Sequence, residues 1–242
     1  MGLKAELATV LEPWELELVP RSYDIVGDIA VIRVSEKIEH RTEEIAKAIM
    51  RINKHVRTVL HQVSPVLGEL RLRRLRWVAG EKESETIHKE HGCLLKVNLE
   101  SSYFSPRLSY ERRRIAQQVQ PGEVVVNMFS GVGSYSIVIA KNSEARKVYS
   151  IDVNPEAIEC QMQNARLNRV EKTVEPILGD AAEVIIERLQ NTADRVLMPL
   201  PEKAFEYLDY AVMALRPGDR WIHYYDFVHA GRGENPAQKV KD

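Results

Sequence analysis

The sequence predicts an α/β fold in which a doubly wound, mostly parallel sheet follows a small α+β domain. From residue 123 onward, five β-prone runs alternate with helix-like segments, which is the order expected of strand–helix–strand units in a parallel sheet. Residues 1–102 lack that alternation, because two strand-like runs flank Gly27 and the apolar spacing over 40–61 indicates an amphipathic helix. We therefore predict a small α+β domain over residues 1–102 and the parallel sheet over residues 103–242.

Each element of the second domain has its own sequence signal. The continuous apolar run at 123–128 is typical of a strand buried on both faces, and a second strand at 147–152 ends in an acid. Pro155 predicts a helix to about residue 168, because proline in a first turn loses no hydrogen bond. Strands at 173–178, 194–198 and 220–225 alternate with helices at 182–189 and 202–215. Ligands of such a sheet bind at the carboxyl ends of its strands.

Composition excludes several classes of protein. The chain has 242 residues, 44% of them hydrophobic, and a net charge of −1, which is ordinary for a globular protein and not for a disordered or collagen-like one. No apolar run reaches the ~18 residues of a membrane helix, and the first residues do not resemble a secretory signal. The two cysteines, Cys93 and Cys160, form no metal-binding pattern, so we expect a cytoplasmic protein with no metal site.

A glycine-containing loop follows the first strand of the second domain. Gly131 and Gly133 would let the backbone approach a ligand at the start of a helix, and Asp152 follows Gly131 by 21 residues at the end of the next strand, where a carboxylate can bind ribose hydroxyls. The third glycine of dinucleotide-binding loops is replaced by Ser134 and Tyr135. The loop therefore favours S-adenosylmethionine over NAD. Asp180 after the third strand is a second candidate ligand or, alternatively, a helix N-cap.

Basic residues are concentrated in one part of the chain. Residues 51–114 hold 14 Lys and Arg against 7 Asp and Glu, which suggests a surface for a polyanion; a solvated surface remains the alternative. Two runs stand out, at 71–77 and at 103–114, and if the first is a strand, Arg71 and Arg73 share one of its faces. In the second run Arg107 and Glu111 are four residues apart and would share one face of a helix, where they are either functional or a weak surface ion pair.

Four stretches resemble the archaeal and eukaryotic tRNA (guanine-37 N1)-methyltransferases. They are YFSPRLSYERRR at 103–114, AGEKESETIHKEHG at 79–92, NMFSGVGSYSI at 127–137 and IDVNPEA at 151–157. The resemblance covers roughly residues 23–228. It implies a class I, Rossmann-like methyltransferase domain after a small RNA-binding domain, S-adenosylmethionine as the methyl donor and N1 of guanosine 37 of tRNA as the acceptor. No feature of the sequence indicates an obligate protein partner.

The resemblance also implies roles for individual residues. Glu111 matches the general base that removes the N1 proton, Arg107 and Arg71 match arginines near the target base, and Tyr103 matches an aromatic residue of the pocket. The expected cofactor contacts are Arg112, Phe129, Gly131, Gly133, Asp152, Val153, Asp180, Ala181 and Met198. The expected base pocket adds Pro199, Leu200 and Pro201, and the expected contacts to the RNA backbone are Arg73, Lys82, Lys89, Arg113 and Arg114.

Three departures from the family pattern accompany these roles. Pro199 stands where the family usually has an asparagine that could hold the guanine, and Asn127 stands where the first motif commonly begins with aspartate. Only about 20 residues precede Tyr23, so we expect the additional N-terminal domain of many relatives to be missing.

Three other functions remain as alternatives to methylation of guanosine 37. They are an aminocarboxypropyl transferase of the wybutosine pathway, a methylase that also acts on the tricyclic intermediate, and a non-catalytic RNA-binding protein. Arg107 favours methylation, because the aminocarboxypropyl transferases usually lack this arginine.

Overall fold

A computed structural model describes residues 2–65, 68, 70–231 and 233–240. The strands are β1 (Asp24–Val26), β2 (Ile29–Ile32), β3 (Thr58–Gln62), β4 (Leu75–Gly80), β5 (Glu85–Glu90), β6 (Cys93–Asn98), β7 (Val124–Asn127), β8 (Lys147–Asp152), β9 (Val174–Leu178), β10 (Arg195–Met198) and β11 (Trp221–Tyr224). The α-helices are α1 (Leu3–Leu7), α2 (Pro13–Leu18), α3 (Thr42–Ile52), α4 (Ser109–Ala116), α5 (Ser134–Asn142), α6 (Pro155–Asn168), α7 (Ala181–Val184), α8 (Pro201–Ala204), α9 (Leu208–Ala214) and α10 (Pro236–Lys239).

The first part of the chain forms a four-stranded sheet in the order β1-β2-β3-β4. β1 and β2 are the antiparallel strands predicted around Gly27, whose φ is +56°. α3 connects the parallel strands β2 and β3, and it buries Ile45, Ala48 and Ile49. These side chains supply the apolar face that the spacing predicts, and the small α+β unit is confirmed.

The second part is a five-stranded parallel sheet in the order β11-β10-β7-β8-β9. β7 lies at its centre with all four residues buried, as the continuous apolar run predicts. The order reverses at β7, because β8 continues on one side and β10 on the other, and such a switch point opens a crevice at the carboxyl ends of the strands. The predicted doubly wound α/β architecture is confirmed.

The hairpin β5–β6 lies between these two sheets and docks on helix α6. Two side-chain amides of α6 bond both backbone groups of residues in β6. Asn168 accepts from Leu94 N–H at 2.9 Å and donates to Leu94 O at 2.7 Å, and Asn164 does the same for Lys96 at 2.6 and 3.0 Å. The amides thus pair with β6 as a neighbouring strand would. The domain boundary expected between residues 102 and 103 stays a prediction.

Two segments differ from their sequence predictions. The helix expected over 202–215 is divided into α8 and α9, and the turn between them brings the Tyr207 hydroxyl within 2.5 Å of the Asp180 carboxylate. Arg71 and Arg73 were expected to share one face of a strand. Arg71 instead has a left-handed backbone with φ of +53°, and β4 begins only at Leu75.

Among the described residues, no helix combines the length and apolar character needed to cross a bilayer. The same residues contain no group of three or more histidines, cysteines or acids arranged to hold a metal ion.

Candidate active site

A cavity opens at the carboxyl ends of β7, β8, β9 and β10. Ten residues predicted for the site line this strand-end cavity: Arg71, Tyr103, Phe129, Gly131, Asp152, Val153, Asp180, Ala181, Pro199 and Leu200. Leu70, Met128, Asn154, Ala157, Lys203 and Tyr207 complete the lining. The structure therefore brings together most of the expected cofactor and base-pocket residues in one place.

The glycine loop is held in shape by Gln161 of α6. The Gln161 amide donates to Ser130 Oγ and to Gly131 O, both at 2.7 Å. Gly133 has φ of +77°, and a Cβ there would lie 2.9 Å from Gln161 Cγ. Gly131 forms the wall of the cavity, whereas Gly133 does not line it and instead allows the loop to pack on Gln161.

Asp152 is the carboxylate that the loop presents to the cavity. Its Oδ2 accepts the Gly131 N–H at 2.6 Å and its Oδ1 accepts the Asn154 N–H at 3.0 Å. Burial raises the pKa of Asp152, while these backbone hydrogen bonds oppose the increase. A carboxylate oxygen accepts more than one hydrogen bond, so this side chain retains acceptor capacity for the hydroxyls of a ligand.

Asp180 is the N-cap of α7 and also lines the strand-end cavity. It caps α7 by accepting the Ala182 N–H at 2.8 Å, as the N-cap alternative predicts, and its second oxygen accepts the Tyr207 hydroxyl at 2.5 Å. Tyr207 packs edge-on against Phe129, with ring centroids 5.1 Å apart. Asp180 thus fixes an aromatic wall of the strand-end cavity that the sequence did not predict.

Tyr103 and Arg71 also line the strand-end cavity. The Arg71 guanidinium lies over the Tyr103 ring, 4.5 Å from its centroid, and Arg71 Nη2 is 3.3 Å from Glu202. Arg71 Nε is buried without a hydrogen-bond partner among the described residues. Pro199 and Leu200 line the same cavity, and Pro199 offers neither an N–H nor a side-chain amide.

Glu111 lies outside the lining of the strand-end cavity. Arg114 donates to both of its carboxylate oxygens, at 2.6 and 2.7 Å, and the Tyr225 hydroxyl donates to Oε1 at 2.6 Å. Burial acts to raise the pKa of Glu111, but the hydrogen bonds from Arg114 and Tyr225 outweigh it and lower the pKa below its ordinary value. A carboxylate held this way is a weak base until these partners move.

The expected pairing of Arg107 with Glu111 is wrong. Residues Pro106–Leu108 form a 3₁₀ turn and α4 begins at Ser109, so the two side chains do not share a helical face. Arg107 instead bonds Asp24 through Nε at 2.7 Å, and its side chain is 67% exposed. It does not line the strand-end cavity either.

Arg112, expected to contact the cofactor, is buried away from the cavity. Its Nε and Nη2 bond the two oxygens of Glu90 at 2.5 and 2.7 Å, and its Nη1 and Nη2 donate to Ser105 O at 3.2 and 3.1 Å. Arg112 therefore fixes the segment that carries Tyr103 and Arg107. Met198 is fully buried in the core below the cavity, and Pro201 begins α8.

The expected RNA contacts are dispersed over the surface. Lys82 packs over the Trp77 ring, Lys89 and Arg113 are exposed, and Arg114 is the partner of Glu111. Arg73 lines a second cavity.

Several lining residues were missed in the sequence. Asn154 follows Asp152 by two positions and could have been included with it. Tyr207 could not, because it reaches Asp180 only through the turn between α8 and α9.

Comparison with known proteins places this site in a family. Residues 86–242 match the family model described as the TRM5/TYW2 methyltransferase domain, and residues 3–83 match the TYW2 N-terminal domain. The chain is 43% identical over 220 residues to the tRNA (guanine(37)-N(1))-methyltransferase Trm5b of Pyrococcus abyssi, covering 90% of this chain and 64% of that protein. It thus spans less than two thirds of the length of that relative.

Two further known proteins are matched over a larger share of their own length. The chain is 39% identical over 216 residues to the tRNA 4-demethylwyosine(37)-methyltransferase Taw21 of Saccharolobus solfataricus, covering 89% of this chain and 81% of that protein. A solved complex of aTrm5 and tRNALeu matches with a TM-score of 0.83 at 35% identity, covering 99% of this chain and 69% of the other.

Proposed function

The chain belongs to the TRM5/TYW2 methyltransferase family, and from that premise we propose that it transfers the methyl group of S-adenosylmethionine to N1 of guanosine 37 in tRNA. The observation that carries the proposal is that Asp152 and Tyr103 line one and the same cavity at the strand ends. The carboxylate suits the ribose of a nucleoside donor, and the aromatic ring suits a base. The proposal is further supported by the P. abyssi relative, which is named for this reaction.

The lining residues fit S-adenosylmethionine. Asp152 would accept the ribose hydroxyls, and the apolar surfaces of Phe129, Val153 and Ala181 would contact the adenine. The buried Nε of Arg71 lacks a partner among the described residues, so this side chain has a hydrogen-bond donor left for a molecule bound in the cavity. The bound donor supplies an electrophilic methyl group on a sulfonium, so the protein's task is to align the base and remove its proton.

The acceptor side would hold an extruded purine. Tyr103 offers a ring for stacking, since enzymes that modify a base remove it from its stack. Guanine N1 carries a proton that must leave before its lone pair can attack, and we assign that proton to Glu111. Arg71 lies beside Tyr103, where it can stabilise the negative charge that develops on O6. Glu111 has to exchange its contacts with Arg114 and Tyr225 for the base when tRNA binds.

Asp152→Ala is expected to raise the Kd for S-adenosylmethionine about 100-fold, because two hydrogen bonds to a charged acceptor are lost. Titration calorimetry measures this constant. Asp152→Asn, which keeps the shape and one acceptor oxygen, should have a smaller effect. The exposed Asp219→Ala is the matched control. An unchanged Kd in Asp152→Ala would contradict the ribose assignment.

A double-label assay tests the proposed reaction. The protein is incubated with tRNA transcripts carrying guanosine or adenosine at position 37 and with S-adenosylmethionine labelled either in the methyl group or in the carboxyl carbon. We expect methyl label only in the transcript with guanosine 37. Carboxyl label in the tRNA would identify an aminocarboxypropyl transferase instead. Absence of both labels, with tRNA still bound, would identify a non-catalytic RNA-binding protein.

A second candidate is methylation of the tricyclic base 4-demethylwyosine at the same position. Two observations favour considering it: the chain is 39% identical to Taw21, and Pro199 with Leu200 lines the cavity where the family pattern has a side-chain amide. Methyl transfer to two tRNAs, one with guanosine 37 and one with the tricyclic base, distinguishes the two candidate functions. Methylation of the tricyclic base alone would overturn the primary proposal.

A further inference from the structure

A second cavity adjoins the strand-end cavity and shares Tyr103 with it. We call it the arginine cleft, because Arg33, Arg73 and Arg107 line it together with Asp24. Arg33 directly follows β2, Arg73 lies in the connection between β3 and β4, and Arg107 lies in the turn before α4. Since one ring separates the two cavities, a polymer with one unit in the strand-end cavity would place the adjoining unit in the arginine cleft.

The charges in the arginine cleft are not balanced. Three guanidinium groups face one carboxylate, and that carboxylate, Asp24, is already bonded to Arg107. Arg73 donates only to the neutral Gln62, at 3.3 Å. Arg33 has no side-chain hydrogen bond or ion pair within the described part of the chain. Arg33 and Arg73 therefore share a concave surface in which the nearby carboxylate, Asp24, is already paired with Arg107.

Arg73 is the most confined of these groups. Burial lowers the pKa of its guanidinium, and the like charges of Arg107 and Arg33 lower it further, whereas Asp24 and Tyr103 oppose the decrease. The surroundings of Arg73 in the free protein therefore disfavour its charged form. An anion bound in the arginine cleft would stabilise that form. The Arg107–Asp24 pair presents little obstacle, because ion pairs at the surface contribute little to stability.

We propose that the arginine cleft binds the phosphodiester adjoining the nucleotide whose base enters the strand-end cavity, with Arg33 and Arg73 as the donors. The inference rests on the proposed function, since it requires RNA as the substrate. Guanidinium groups match phosphate oxygens with paired hydrogen bonds, and RNA is the anionic polymer that both cavities can hold at once. In this arrangement Arg107 lies beside the bound phosphate and has no role in methyl transfer.

The test measures binding of an anticodon stem–loop RNA by fluorescence anisotropy at several salt concentrations. We compare the wild type with Arg33→Gln, Arg73→Gln and the double variant. Each single change should raise the Kd about 10-fold, as expected for a lost hydrogen bond to a charged group, and should reduce the slope of log K against log salt by roughly 0.7. The Kd for S-adenosylmethionine should not change. Thermal melting checks that each variant is folded, and exposed Arg33 is the safer of the two positions.

Arg146→Gln is the matched control, because Arg146 is exposed and precedes β8 at the amino end of the parallel strands, away from both cavities. A second RNA carries neutral methylphosphonate linkages on both sides of nucleotide 37. It should bind the wild type about 10-fold or more weakly than the natural RNA, while the double variant should barely distinguish the two. The inference would be overturned if the methylphosphonate RNA lost the same affinity for the wild type and for the double variant. It would also be overturned if the single variants bound RNA as tightly as Arg146→Gln does. Failure of the wild type to bind natural RNA would overturn the proposed function and the inference with it.

Discussion

Glu111→Gln is expected to slow single-turnover methyl transfer to tRNA at least about 100-fold, because general-base catalysis typically contributes 10²–10⁴-fold. Glutamine keeps the size of the side chain and can still accept from Tyr225, but it cannot take the proton from guanine N1. Rapid-quench measurement at saturating tRNA and donor isolates this step from binding. The Kd values for both ligands should stay close to those of the wild type.

A purely structural role of Glu111 makes a different prediction. In the free protein Glu111 bonds Arg114 and Tyr225, so the loss of that network alone would slow Arg114→Gln and Glu111→Gln equally. If Glu111 is the base, Arg114→Gln retains the carboxylate, raises its pKa by removing the cation beside it, and remains much faster than Glu111→Gln. The exposed Glu171→Gln controls for the change of charge. Near-normal transfer by Glu111→Gln would remove it as the base.

Glu90→Gln is expected to lower the free energy of unfolding by about 3–5 kcal/mol, the usual cost of removing one partner of a buried ion pair. Glu90 and Arg112 have side chains only 3% and 1% exposed, so Arg112 would be left buried without its counter-charge. Urea denaturation followed by circular dichroism measures the effect, and the exposed Glu83→Gln provides the control.

The double variant Glu90→Gln with Arg112→Met distinguishes a lost charge pair from lost packing. It should recover part of the stability, because no unpaired charge remains. If Glu90→Gln lowers the free energy of unfolding by less than about 1 kcal/mol, the Glu90–Arg112 pair contributes no more than a surface ion pair does. Since Arg112 also bonds Ser105 O, we expect the single variant to loosen the segment that carries Tyr103.

The parallel half of the fold could be predicted because its signals are local. The helix expected from Pro155 to about residue 168 is α6, and Asn154 caps it by accepting the Glu156 N–H. The donor side of the site follows for the same reason, since Gly131 lies in the loop after β7, Asp152 ends β8, and adjacent parallel strands end at one edge. The family resemblance adds Tyr103 and Arg71, which line the same cavity.

The acceptor side was less predictable because its contacts cross long stretches of sequence. Arg107 pairs with Asp24, which is 83 residues away, and Glu111 bonds Tyr225, which is 114 residues away. Helical periodicity reports only on neighbours three or four residues apart, so it indicated a pair of Arg107 with Glu111 that does not form. The 3₁₀ turn at Pro106–Leu108 and the buried partner of Arg112 are set by tertiary packing and have no local signature.

The amide groups of Asn164 and Asn168 also affect how copies of this protein meet one another. An open strand edge is a template on which a foreign chain can extend a sheet, and this is a common route to aggregation and to domain swapping. At Leu94 and Lys96 the backbone groups that such a chain would need are already occupied. Aspartate in place of either asparagine would supply acceptors only and leave a carbonyl unmatched, so asparagine is the side chain that closes this edge to self-association.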